Sequence, residues 1–355
     1  SEVKKSGLEL FCKALIGSQV EALNISRSGL KAEDLSPFLE YGFGEHLSAL
    51  DLSGQYIAGS ALEDFLHSPR MQQIKQLKLN SANVEFDDLQ RLITSPYLSS
   101  LEHLDLSHNR LWYDNLRCLV QDTALQKLSW LDLGYNALSS VDAEHLANAS
   151  FASSLKGVSL AGNMIEDEGV IHLAHSERLS RLSKLDINSC RIGNDGIKSL
   201  SESPFLRQLE ELHMGSNSIN AEGIETLARS PHVINLRTLE LSGEDAGSHR
   251  IRKEGAKHLM ESTQLKRLEH LIMPIQALGD EGAIEIAHSC GLENLRELAI
   301  NYNDIGEEGA MALAHSARLS KLAILNLRGN DLGEKGKSAL ENSTFLRDCQ
   351  VLFNT

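Results

Sequence analysis

The stretch LRELAINYNDIGEEGAMALAHS, residues 295–316, decides the fold. Leu298 and Ile300 alternate with outward neighbours, the period of a short strand buried on one face. Asn303 ends that strand with a side chain suited to bonding the backbone of a turn, and Ile305 returns to the core. Glu307, Glu308 and Gly309 then open a run from Ala310 to Ala314, in which Ala310, Leu313 and Ala314 share one helical face. Acidic residues suit a helix N-terminus, with its partial positive charge. His315 and Ser316 fall in the last turn. In four other places the equivalent serine is followed directly by proline (Pro69, Pro96, Pro204 and Pro231), which cannot continue a helix. The stretch reads as strand, turn, helix, loop.

The same pattern, L-x-x-L-x-L-x-x-N, recurs along the whole chain. Its first position falls at Val20, Leu47, Ile74, Leu101, Leu128, Leu155, Leu182, Leu209 and Leu236, each 27 residues after the last. One step of 32 leads to Leu268; steps of 27 then give Leu295, Leu322 and a truncated copy from Cys349 with a strand over 351–354. Gly7, Leu8, Phe11 and Leu15 fit the helical half of a unit before Val20. This register predicts a single domain over 1–355, of about twelve full units plus partial terminal ones. Parallel strands sit about 4.8 Å apart and packed helices about 10 Å apart, so such a stack should curve into a horseshoe: an α/β solenoid with an inner parallel sheet and outer helices.

The units at Leu160 to Ser176 and Leu327 to Leu340 resemble the ribonuclease-inhibitor subclass of leucine-rich repeat proteins, and the resemblance runs the length of the chain. The G-A-x-x-L-A element, as at Gly309 to Ala314, is similar to bacterial leucine-rich repeat proteins, including plant-pathogen effectors that carry an F-box beside such repeats. The resemblance implies the fold and a bacterial, effector-like origin. The same repeat serves unrelated binding roles, so it names no partner.

Composition narrows the partners. A formal charge of −15 and a pI near 5.4 disfavour nucleic acid and acidic membranes, which need a basic face, and favour a basic protein partner. No apolar run is long enough to span a membrane, and no signal peptide is visible. Five cysteines (Cys12, Cys118, Cys190, Cys290 and Cys349) are scattered without paired spacing and read as reduced thiols. Extracellular relatives of this repeat class usually carry disulfide-bonded caps, so the expected compartment is the cytoplasm, or a host cytosol for a secreted effector. The scarcity of cysteine weighs against ribonuclease inhibition itself. The chain opens on Ser1 rather than Met, which fits processing or a piece of a longer protein.

With the first motif residue counted as zero, positions two and four of each strand should face the concave side. Position four is acidic early, at Asp51, Asp105, Asp132 and Asp186, and apolar late, at Ile272 and Ala299. Lys78 between Asp51 and Asp105 suggests an ion-pair ladder of little energetic weight; Asp105 and Asp132 have no such neighbour between them and should repel, raise one pKa, or hold a cation or a partner's lysine.

Two patches stand out. Trp130, Tyr135, Trp112 and Tyr113 put both tryptophans in adjacent repeats, flanked by His103 and His108. Aromatics beside carboxylates on a rigid face suit a protein-binding hot spot. The second comprises Ile272, Pro274, Ile275, Ala299, Tyr302 and Ile324, expected to be an exposed apolar surface. It lies beside the extra residues of the 32-residue step, about 245–249, ahead of Arg250, Ile251, Arg252 and Lys253. Either patch is equally explained by local packing.

Chemistry is mostly rejected. His67, His175, His288 and His315 share one repeat position, but at helix C-termini imidazole suits the dipole, and adjacent helices hold the four too far apart to ligate a metal. His103 and Asp105 lack a nucleophile, and no phosphate-loop signature occurs. No cofactor or metal is expected. Asn109, Asn136, Asn163, Asn217, Asn303 and Asn330 form a structural ladder, with Cys190 at one rung and Glu244 and Gln276 at others. The reading is a monomeric, non-enzymatic protein-binding scaffold. Two alternatives stand beside it: a GTPase regulator, by resemblance to Ran GTPase-activating proteins, with Arg250 and Arg252 as nearest candidates for an essential arginine, and a spacer within a larger protein.

Overall fold

The computed structural model describes residues 5–42, 44–112, 114–121, 124–244, 250–289 and 291–354. It divides into two compact units, residues 1–164 with 176–182 and residues 165–175 with 183–355.

The first unit begins with α1 (Lys5–Leu15) and carries strands β1 (Ala22–Asn24), β2 (Ala49–Asp51), β3 (Gln76–Lys78), β4 (His103–Asp105), β5 (Trp130–Asp132) and β6 (Gly157–Ser159). All pair in sequence order and in parallel, with no shift between repeats: Leu50 lies opposite Leu77, Leu77 opposite Leu104, Leu104 opposite Leu131. Between the strands come α2 (Ser36–Tyr41), α3 (Ser60–Leu66), α4 (Phe86–Thr94) and α5 (Ser140–Asn148). Each strand has three residues, of which only the middle one is directed inward in β2, β3, β4 and β5. That leucine and the one two residues on are sealed from solvent, as Leu104 and Leu106 or Leu131 and Leu133 show. Burying each stabilises the stack by about 1.5–3 kcal/mol.

The second unit opens with α6 (Glu166–Ala174) and then alternates β7 (Lys184–Asp186), α7 (Asn194–Glu202), β8 (Glu211–His213), α8 (Ala221–Arg229), β9 (Thr238–Glu240), α9 (Arg252–Met260), β10 (His270–Ile272), α10 (Gly279–Ala287), β11 (Glu297–Ala299), α11 (Glu307–Ala314), β12 (Ile324–Asn326), α12 (Gly333–Glu341) and β13 (Gln350–Leu352). The register holds across the 32-residue step, since Thr238, Leu239 and Glu240 pair with His270, Leu271 and Ile272. Each unit is therefore an α/β solenoid, parallel strands on one face and helices on the other.

Three side-chain ladders tie the repeats together. Asparagine supplies the first. Asn136 Oδ1 accepts from Asn109 N at 3.0 Å and Asn163 Oδ1 from Asn136 N at 2.9 Å and Leu138 N at 3.0 Å, while their Nδ2 groups donate to backbone carbonyls. Gln55 and Gln276 occupy the same rung and do the same work: Gln55 Oε1 takes Leu30 N at 2.8 Å and Gln276 Oε1 takes Ile251 N at 2.9 Å. Serine supplies the second, at the helix C-termini. Ser95, Ser176, Ser203, Ser230 and Ser316 each donate Oγ–H to a carbonyl of the previous repeat at 2.5–2.6 Å. Carboxylates at helix starts supply the third: Asp167 Oδ1 accepts from Gly193 N at 2.7 Å and Gly196 N at 2.9 Å, and Asp280 Oδ1 repeats this with Gly306 N and Gly309 N at the same distances.

Two expectations need correction. The repeat from Leu101 has no α-helix among its described residues; a 3₁₀ segment, Asn115–Val120, stands there, with Leu116, Cys118 and Leu119 buried. Buried Asp142 holds its start, Oδ1 accepting from Leu116 N at 3.1 Å and Oδ2 from Asp114 N at 3.3 Å, and the tighter helix suits so short a run. The last strand is displaced by one residue. Leu325 pairs with Val351, a step of 26, so the strand is Gln350–Leu352 and not 351–354. Gly7, Leu8, Phe11 and Leu15 all lie in α1, as expected; Leu8, Cys12 and Leu15 enter the core and Phe11 stays on the solvent side at 38% exposure, because the buried stripe follows every third or fourth residue from Leu8.

Candidate functional site

The sheet face of the first unit presents three files of side chains. Position two contributes His103, Trp130 and Gly157 on adjacent strands, and position four contributes Asp105, Asp132 and Ser159. The third file is position seven, where the chain leaves the strand in the left-handed region: His108 at φ 54, Tyr135 at φ 56 and Gly162 at φ 69. The same conformation recurs at that position in Arg27, Gly54, Ser81, Ser189, Ser216, Ile275, Tyr302 and Gly329. A non-glycine residue there costs about 1–2 kcal/mol, so the repeat geometry imposes the conformation against local preference.

Glycine decides where the aromatic rings lie. A Cβ added at Gly157 would run into the Trp130 ring, and one added at Gly162 would run into the Tyr135 ring. Each ring therefore rests over the backbone of the next repeat, on ground that only glycine leaves open. Tyr135 is further held by His108, whose ring stacks on it at 4.4 Å between centroids and 5° between planes. Tyr135 nevertheless remains 53% exposed, while Trp130 is half-buried. The arrangement is repeated in the second unit, where Tyr302, 59% exposed, lies over Gly329.

The acidic file has a local explanation. Asp105 Oδ1 accepts from Ser107 N at 2.9 Å and from Ser107 Oγ at 2.6 Å, and Asp132 Oδ1 accepts from Gly134 N at 2.9 Å. Asp51 and Asp186 accept likewise from Ser53 N at 3.0 Å and Asn188 N at 3.1 Å. Each carboxylate closes the turn that ends its own strand. Asparagine serves equally, since Asn24 takes Ser26 N at 2.9 Å and Asn326 takes Arg328 N at 3.2 Å. The expected ladder through Lys78 is absent: among the described residues Lys78 pairs with neither Asp51 nor Asp105, though it lies opposite both.

Trp112 stands apart from the files, on the loop before the 3₁₀ segment, and is 54% exposed. Tyr113 lies outside the described residues, as do Cys290 and the five extra residues 245–249. Beyond that gap Arg250 Nη2 donates to Glu244 O at 3.4 Å, and Arg252 opens α9 in left-handed backbone at φ 53, its side chain exposed.

The second patch is less open than expected. Ile272, Ile275 and Ile324 are each half-buried and Ala299 is 7% exposed, leaving Tyr302 as the one large exposed apolar side chain of the group. The isoleucines also divide between files: Ile272 aligns with Ala299 and Asn326, whereas Ile324 aligns with Glu297. Packing between neighbouring strands, about 4.8 Å apart, covers side chains that strand alternation alone places in solvent.

The recurrent histidines are caps. His67, His175 and His315 each lie with Nδ1 at 2.7–3.1 Å from the carbonyl four residues earlier, at the ends of α3, α6 and α11. Among the described residues no group of three or more His, Cys, Asp or Glu could hold a metal ion, and no helix is long and apolar enough to cross a membrane. Cys12, Cys118 and Cys349 are free thiols, and burial pushes Cys12 and Cys118 up to about 11.

The family described as Leucine Rich repeat matches residues 181–201, 206–228 and 291–314, and a second profile of that description matches 100–120. Those four stretches match leucine-rich repeats. Among solved structures, an internalin from Listeria monocytogenes shares 16% identity over 98% of this chain and 88% of its own, at a TM-score of 0.46. The structure of PEPR1–AtPEP1 shares 20% identity over 95% of this chain and 42% of that one, at a TM-score of 0.45. Curated protein sequences give no match.

Proposed function

We propose that this chain is a non-enzymatic scaffold that binds a protein through the sheet face of its first unit. One observation carries the reading: the Trp130 and Tyr135 rings are laid in place over Gly157 and Gly162, beside the carboxylates of Asp105 and Asp132. Rings already fixed lose little freedom on binding, and large flat side chains next to charge are what a contact surface uses for affinity and orientation. Tyr302 over Gly329 is a second, smaller contact of the same design in the other unit. The free thiols of Cys12, Cys118 and Cys349 support a reducing compartment. With the resemblance to bacterial repeats of the ribonuclease-inhibitor class, this favours a monomeric protein of the cytoplasm, or an effector in a host cytosol.

The test is selection from a random peptide display library on the parent, followed by rebinding to a Trp130→Ala, Tyr135→Ala variant whose circular dichroism matches it. Loss of the selected peptides by that variant, and their retention by an Ile272→Ala, Tyr302→Ala variant, supports the first-unit surface. Equal binding to all three removes it.

A further inference from the structure

One helix-to-strand loop of the second unit departs from its neighbours. Ser203, Ser230 and Ser316 each hold a carbonyl of the previous repeat at 2.5 Å, whereas Ser289 Oγ stands 3.4 Å from Met260 O, and the backbone N–H of Gly291 takes the same carbonyl at 3.0 Å. Gly291 occupies the place of Gln264 in the repeat before and of Arg318 in the repeat after. A Cβ there would run into the carbonyls of Met260 and Ser262, so only glycine lets the loop lie back against the preceding repeat. Between it and the next loop, residues 317–321, stands a cleft of about 210 Å³. Its floor is Met260, Ile286, Leu292, Leu295 and Leu319, each no more than 7% exposed. Its rim carries three exposed charges, Glu293 on one loop and Arg318 and Lys321 on the other. In a chain whose acids outnumber its bases by 49 to 34, neither of these two bases forms an ion pair or a side-chain hydrogen bond among the described residues.

We propose that this cleft takes the C-terminal residue of a partner polypeptide, its apolar side chain entering between the two loops and its terminal carboxylate resting on Arg318 and Lys321. The site goes beyond the sheet-face reading and stands independently of it. Size decides how much enters. Drug-sized ligands fill about 300–1,000 Å³, whereas an apolar cavity of about 150 Å³ accepts benzene, so this cleft suits one leucine, methionine or phenylalanine side chain and nothing longer. Charge decides what accompanies it. Arginine offers a carboxylate paired donors and lysine adds a point charge, and here both are free to do so. An internal acidic side chain would bring charge without filling the floor, and an internal apolar one would fill the floor and leave the bases in water. A chain terminus supplies carboxylate and apolar group from a single residue. Glu293 on the same rim opposes the carboxylate, as does the partial negative charge at the end of α10, so the attraction has to come from the two bases.

The experiment follows fluorescence polarisation of three hexapeptide pools on the full chain, each dye-labelled at its N-terminus and random but uncharged over its first five residues. The first pool ends in leucine or phenylalanine with a free carboxylate, the second in the same residues as amides, the third in serine with a free carboxylate. The first should bind about tenfold more tightly than either other pool, as loss of a charge-assisted pair or of a buried side chain requires. It should lose about tenfold in Arg318→Gln, Lys321→Gln, tighten in Glu293→Gln, and be unchanged in Trp130→Ala, Tyr135→Ala. Equal binding of acid and amide overturns the carboxylate contact, and equal binding of the apolar and serine acids overturns the use of the floor. If free 4-phenylbutyrate binds as tightly as the first pool, the occupant is a small acid and the chain-terminus proposal is wrong. If binding survives in Arg318→Gln, Lys321→Gln and is lost in Trp130→Ala, Tyr135→Ala, the peptides sit on the sheet face: the cleft proposal falls and the scaffold reading stands. Absence of binding by every pool also removes the proposal.

Discussion

Replacing Asn163 by alanine isolates the energetic weight of one ladder rung. The side chain is 2% exposed. Its Oδ1 is the acceptor for Asn136 N and Leu138 N at 2.9 and 3.0 Å, and its Nδ2 donates to Leu133 O at 3.0 Å and Leu160 O at 2.7 Å. Asn163→Ala leaves those two amides and two carbonyls without this partner, in a place too tight to admit water freely. An unsatisfied buried group costs about 1–3 kcal/mol, and the carbonyls, with a second lone pair, cost less than the amides, so a loss of about 2–5 kcal/mol is expected. Urea titration by circular dichroism gives the total. Amide exchange locates it, because Asn136 and Leu138 should lose protection well before residues several repeats away, as coupling in a solenoid runs between neighbours. Cysteine is the informative second substitution. The protein already uses Cys190 at this position, with Sγ donating to Asn188 O at 3.4 Å, so Asn163→Cys should fall between parent and alanine. A midpoint for Asn163→Ala within about 0.5 kcal/mol of the parent would refute the claim that the rung satisfies backbone groups.

Further outcomes follow from other contacts. Gly162→Ala places a Cβ into the Tyr135 ring at a residue with φ 69, and should destabilise by about 1–2 kcal/mol while displacing Tyr135, read by thermal melting together with the loss of peptide binding. Ser203→Ala removes an Oγ bond of 2.5 Å to Ala174 O from a buried site and should lower stability by about 1–2 kcal/mol in urea. The Lys184 ammonium at 2.8 Å holds the Glu211 carboxyl below its usual range. Its contribution is therefore present at neutral pH and disappears as pH falls below about 4.3 and through the folded-state value; the melting difference between parent and Glu211→Gln should shrink from pH 7 to pH 3. Cys118, pushed up to about 11 by burial, should react with iodoacetamide at pH 8 about a hundredfold more slowly in the native protein than in urea, followed by mass spectrometry.

What could be read from the chain alone was whatever the period makes redundant. Leucines three and five places into each unit recur throughout, with six asparagines that end strands and acids that begin helices at the same spacing, and the structure uses them as that spacing implies. Gln55 escaped notice because it is one methylene longer than asparagine, although it reaches the same backbone groups. The serine ladder was visible only as a residue before proline, since its acceptor lies a whole repeat earlier. The site was less legible. Its defining contacts join residues 27 apart, Trp130 to Gly157 and Tyr135 to Gly162, and a large ring followed one repeat later by glycine is a signal that only reading down the columns reveals. Ile272 and Ile324 misled for the same reason, because alternation along a strand takes no account of cover from the strands beside it.

The asparagine and serine ladders share a direction. In both, the side chain belongs to the later repeat and satisfies backbone groups of the earlier one, though each asparagine also bonds a carbonyl of its own repeat. A chain emerging from the ribosome therefore cannot finish any repeat when its own residues have appeared. The amides of Asn136 and Leu138 stay in contact with water until Asn163 has been made, and the carbonyl of Ala174 until Ser203 has. Synthesis runs about one repeat ahead of closure along the array, and the most recently made repeat is always the least secure.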